Sequence, residues 1–194
     1  YYRPENKFSD YYFGGVYRTF KNRDVCSMDL FAYMAMHVES GTSGLPEGWN
    51  MENFSRDDLN LMREYYNGIG GGMMLDAFAL ECRAAENDMA HRSADACVVN
   101  YEGSIMSMYN KIGLKRESNV IAIKHNGQIK AALIVDISDL GVNMSELINS
   151  IKVIVIDNTL PWPVLKDAVS IAGRIYGHET IMVLIYPFAY LEQQ

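Results

Sequence analysis

Apolar positions along the chain change their rhythm near residue 115. Beyond that point they gather into short dense runs. "SNVIAIKH" (118–125) alternates apolar and polar residues, which predicts a half-buried strand. "IKAALIVDI" (129–137) predicts the return strand, and Asn126-Gly127 between them is the strongest two-residue hairpin signal. "IKVIVID" (151–157) is almost continuously apolar, the mark of a strand buried on both faces. Val164, Leu165, Ala168, Val169, Ala172, Ile175 and Tyr176 then recur at helical spacing, with Pro161 and Pro163 in the first turn and Gly177 closing it. "TIMVLIYP" (180–187) predicts a second buried strand. A strand, helix and strand at this spacing form a right-handed crossover between parallel neighbours.

The N-terminal half is patterned differently. "YYFGGVYRTF" (11–20) is rich in aromatic and β-branched residues and predicts a strand, bent at Gly14-Gly15. "VCSMDLFAYMAMHV" (25–38) carries both strand and helix signals, and we read it as a strand in a hairpin or meander with the first run. "ESGTSGLPEGWN" (39–50) is a loop by composition. A helix then starts at Ser55, with Asp58 three residues on and Phe54 placed to staple against Leu59. Leu59, Met62, Tyr65 and Tyr66 form its apolar face, and "NGIGGG" (67–72) ends it. "MMLDAFALECRAA" (73–85) predicts another helix, "ENDMAHRSAD" (86–95) an exposed connection, and "YEGSIMSMYNKIG" (101–113) a short helix with Gly113 just past its end. "GVNMSELIN" (141–149) reads as a polar excursion between strands. Residues 1–54 therefore form N-terminal strands and a loop extending, or replacing part of, the sheet built by 55–194.

Composition narrows the function classes. The 194 residues are 49% hydrophobic and 21% charged, with a net charge of −7. An acidic surface repels phosphate backbones, so general nucleic-acid binding is not expected. No apolar run approaches the ~20 residues of a membrane span, and the polar, aromatic start does not resemble a signal peptide. Cys26, Cys82 and Cys97 share no CxxC spacing, and His37, His91, His125 and His178 form no HExxH pair. The expectation is reduced thiols, a cytoplasmic protein and no metal. The start without methionine and the end at "FAYLEQQ" suggest a piece of a longer parent chain, truncated at its C-terminus.

Two stretches carry candidate chemistry. Asp136-Ile137-Ser138-Asp139-Leu140-Gly141 matches the D-x-S-x-x-G turn of PilZ domains, small barrels that bind cyclic di-GMP. In that family an upstream R-x-x-x-R pair clamps the nucleotide. Here Lys115 and Arg116 are adjacent, and the position four beyond Arg116 is Val120. The other reading is a turn ending a strand, in which Asp136 or Ser138 bonds local backbone. "NGIGGGMM" (67–74) opens a helix but fits neither G-x-G-x-x-G nor the P-loop, and reads as a helix end with a tight turn.

The second stretch is the whole C-terminal half. "MYNKIGLKRE", "VIAIKHNGQIKAALIVDIS", "IKVIVID", "LKDAVSIAGRIYG" and "TIMVLIYP", in that order, resemble the core of the GNAT superfamily, the acyl-CoA N-acyltransferase fold. The resemblance implies an α/β fold, a mixed central sheet flanked by helices, here with extra N-terminal strands. It also implies transfer of an acyl group from an acyl-CoA or acyl-carrier-protein thioester to a small amine. Val153 and Val155 would then line the pantetheine arm, and Asn158 and Thr159 in "DNTLP" would face the pyrophosphate. Tyr186 or Tyr109 would reprotonate the leaving thiolate, with Tyr190 just beyond, and Glu146 would be the base. The family's pyrophosphate loop is Q/R-x-x-G-x-G/A. "DNTLPWP" has no glycine, two prolines and a carboxylate, which predicts weak acetyl-CoA binding. The alternative is a domain without catalysis: a nucleotide sensor or a structural partner module.

Overall fold

The computed structural model describes residues 7–16, 31–68, 75, 78, 80, 107–140 and 149–194. Among the described residues six strands form one mixed sheet: β1 (Ala32–His37), β2 (Trp49–Asn53), β3 (Arg116–His125), β4 (Gln128–Ser138), β5 (Ser150–Val155) and β6 (Thr180–Tyr186). Their order across the sheet is β1-β6-β5-β4-β3-β2. Only β5 and β6 run parallel, and every other neighbouring pair is antiparallel. Helix α1 (Arg56–Asn67) joins β2 to the segments leading to β3, and α2 (Trp162–Gly173) makes the crossover from β5 to β6. A last short helix, α3 (Phe188–Leu191), follows β6. The protein is thus α/β, a mixed sheet with helices on both faces.

Period-two alternation in the central strands explains the two cores. Ile151, Val153 and Val155 of β5 point to one face, where they cluster with Val164, Leu165, Ala168 and Val169 of α2. Ile154 points to the other face and clusters with Leu59, Met62 and Tyr66 of α1. A strand covered on both sides has to be apolar at nearly every position, as "IKVIVID" is. Close approach of α2 to the sheet is set by Gly173, where an added Cβ would lie 2.5 Å from Ile181 Cδ1.

Local signals behave as their chemistry dictates. Asn126 and Gly127 both take positive φ (50° and 79°), the conformation of a two-residue turn whose twist matches its strands. Ser55 caps α1 reciprocally: the Asp58 N–H donates to Ser55 Oγ (3.2 Å), and the Ser55 N–H donates to Asp58 Oδ2 (2.9 Å). Phe54 and Leu59 are both buried in the same cluster. Gly113 takes φ 73° after a helical turn at 107–111.

Three expectations fail. Residues 11–14 of the first aromatic run lie in a π-helical turn (Asp10–Gly14), with 15–16 also helical, so its described part is not a strand. The strand at 32–37 pairs with β6 (Ala32↔Ile185 through His37↔Thr180), and not in a hairpin with that run. Aromatic and β-branched residues favour a strand only where a sheet is there to receive them, and Tyr11 lies exposed. Finally, "WNMEN", whose first two residues read as loop, is edge strand β2, held by pairing with β3 and by Trp49 stacked on His125 at 4.5 Å. The expected helix at 73–85, the connection at 86–95, the excursion at 141–149 apart from Asn149, residues 17–30 and all three cysteines lie outside the described residues. Among the described residues, no helix is long and apolar enough to cross a membrane.

Candidate functional site

The end of the sheet where β5 stops and α2 begins is where the resemblance to acyltransferases would put a donor thioester. The backbone there is already engaged. β5 pairs with β4 from Ser150↔Asp136 to Val155↔Ala131, and with β6 from Ser150↔Met182 to Ile154↔Tyr186. The Ile156 N–H continues the β4 side by donating to the Lys130 carbonyl at 3.0 Å. Val153 and Val155 are fully buried beneath α2. The Val155 carbonyl accepts a 2.6 Å hydrogen bond from the buried Tyr66 hydroxyl. The Tyr66 ring lies 5.7 Å from that of Tyr186, tilted by 30°, and Tyr65 meets it edge-on at 5.0 Å.

The turn "DNTLP" is organised around Asp157. Its carboxylate accepts from Lys130 Nζ (2.6 Å), from the Thr159 N–H (2.8 Å) and from Thr159 Oγ1 (2.6 Å). Burial alone would raise this carboxyl, but the hydrogen bonds from Lys130 and Thr159 outweigh it and hold the group at about 2. Burial, and then the Asp157 charge, pushes the Tyr65 hydroxyl up. Asn158 and Thr159 are exposed, yet the Thr159 amide is spent on Asp157. Pro161 is the N-cap of α2 and gives it no side-chain cap. The first free amide of that helix, Trp162 N–H, donates to Gln194 Oε1 at 3.0 Å, and Gln194 Nε2 donates to the Asn158 carbonyl at 3.4 Å. Tyr190, fully buried, donates to the Leu160 carbonyl at 2.9 Å, and burial raises its hydroxyl. The C-terminal residues thus cover the helix end that an anion would need.

The candidate tyrosines do not meet. Tyr186 is buried at the C-terminal end of β6. Tyr109 sits at the opposite end of the sheet, where its hydroxyl donates to the Leu140 carbonyl and its ring lies 5.7 Å from the Arg116 guanidinium carbon. Glu146 is outside the described residues.

The D-x-S-x-x-G stretch closes that opposite end. Asp136 lies inside β4, and its carboxylate accepts from Lys152 Nζ and from Ser118 Oγ (2.6 Å). The Ser138 hydroxyl donates to the Leu140 carbonyl. Asp139 Oδ2 accepts from the Lys115 N–H at 2.6 Å, and the Asp139 N–H returns a bond to the Lys115 carbonyl at 3.0 Å. Tyr176 reaches the carbonyls of Asp136 and Ser150, each at 2.9 Å. Burial, followed by the Asp136 charge, raises its hydroxyl. These contacts serve the strand ends.

Lys152 is the residue that sequence reasoning passed over. It sits mid-strand, 8% exposed, between Ile151 and Val153. A lysine inside a strand buried on both faces requires a carboxylate, and Asp136, the one acidic residue within the neighbouring apolar run, was the available signal. Among the described residues no group of three His, Cys, Asp or Glu side chains is arranged to hold a metal. No family model matches this sequence, and neither the curated proteins nor the solved structures include a significant match to it.

Proposed function

We propose that this chain is a GNAT-like α/β domain that acts as a binding module of a larger assembly, with the donor cleft of an acyltransferase closed. One observation carries the reading: β5 is paired on both edges, to β4 and to β6, over residues 150–154. A pantetheine arm docks by hydrogen bonding to strand backbone, and a doubly paired strand has none to offer. Neighbouring contacts support this. The Val155 carbonyl is taken by Tyr66, the Trp162 amide by Gln194, and the Lys130 ammonium by the Asp157 carboxylate. The internal bonds of Asp136 and Ser138 support a structural role for their turn over a cyclic dinucleotide site.

A second reading, acyl transfer from acyl-CoA or an acyl-carrier-protein thioester to a small amine, is favoured by the parallel β5-α2-β6 crossover following an antiparallel hairpin. The two separate in a thiol-release assay with acetyl-CoA and a panel of primary amines, paired with calorimetry. The binding-module reading expects no amine-dependent thiol release and no submicromolar acetyl-CoA binding. Release above the hydrolysis rate that is saturable in amine would establish the transferase instead.

A further inference from the structure

The fork where β5 and β6 part has an unusual closure. In a strand, the N–H and C=O of one residue point to the same side, and the next residue points to the other. The Ile156 N–H reaches β4, so the Val155 carbonyl faces β6. The ladder to β6 ends one residue earlier, at Ile154↔Tyr186. Tyr66, from the last turn of α1 and 89 positions away in sequence, donates its hydroxyl to this carbonyl at 2.6 Å. Its ring rests on Tyr186, the last residue of β6, so one side chain touches both arms of the fork.

We propose that Tyr66 is a latch: its hydroxyl stands in for a strand partner and holds the β5–β6 fork shut, and displacement of the α1 end opens the fork without unfolding the sheet. The β3–β4 hairpin, with its own two-residue turn and continuous ladder, stays paired when this happens. The latch requires no donor chemistry, so it stands or falls independently of the choice between binding module and transferase.

Amide hydrogen exchange on Tyr66→Phe tests it, since the substitution keeps the ring and removes only the hydroxyl. The expected result is exchange about tenfold faster at 153–156 and 184–186, with hairpin amides at 120–123 and 131–134 unchanged. Equal acceleration at both places would mean a merely structural hydrogen bond, and no acceleration would mean no latch; either overturns the proposal. The wild-type protein gives a second measurement. In low denaturant the fork amides should exchange through an opening with weaker denaturant dependence than the hairpin's, and identical dependence would equally overturn it.

Discussion

Replacing Lys152 with methionine is expected to destabilise the protein by about 3–5 kcal/mol, a large part of the 5–15 kcal/mol that holds a typical domain together. Methionine fills the same volume, so the loss is electrostatic. The Asp136 carboxylate would remain inside the sheet, 4% exposed, without the Lys152 ammonium and with the Ser118 hydroxyl still donating to it. The pair itself contributes much less than its rupture costs, because two charges had to leave water to form it. The double change Lys152→Met with Asp136→Leu should therefore recover most of the loss. Urea denaturation of the wild type, the single and the double variant checks both parts. A single variant within 1 kcal/mol of wild type would show that the pair is not buried as described.

Ile154→Ala should cost about 2–5 kcal/mol. Ile154 is fully buried on the α1 face of a central strand, against Leu59, Met62 and Tyr66 among others, so its deletion leaves a cavity that a sheet paired on both sides cannot collapse into. The matched control is Ile175→Ala, the same chemical change at a side chain 62% exposed, which should shift stability by no more than about 0.5 kcal/mol. Equal denaturation midpoints for the two variants would remove β5 from the centre of the sheet.

The parts of this fold that sequence reveals are those decided within a few residues. The Asn126-Gly127 turn, the Ser55 capping box, the paired prolines opening α2 and the double-faced apolarity of β5 each need only local chemistry, and each is found where the pattern puts it. What escaped is decided by distant partners. "WNMEN" has no strand pattern of its own and becomes β2 because β3 offers it an edge. The aromatic run at 11–16 has strand composition, yet its described residues are helical. The face of Ile154 was likewise hidden: α2 follows β5 in sequence but packs on Val153 and Val155, while Ile154 turns to α1. At the candidate site the sequence shows a "DNTLP" loop without glycine and the carboxylate of Asp157. It contains no hint that Tyr66 and Gln194 close the same place from 89 and 32 residues away.

Closure of β5 on its β6 edge is tested by the cross-strand nuclear Overhauser contacts at that edge, taken with and without a saturating acyl thioester. Contacts between Val153 and Ile185 and between Ile154 and Tyr186 are expected, with slow amide exchange at 151–154, unchanged when acetyl-CoA is added. Loss of the Ile154–Tyr186 contact on addition, with new contacts from the pantetheine arm to Val153 or Val155, would contradict it and make this end of the sheet a donor site.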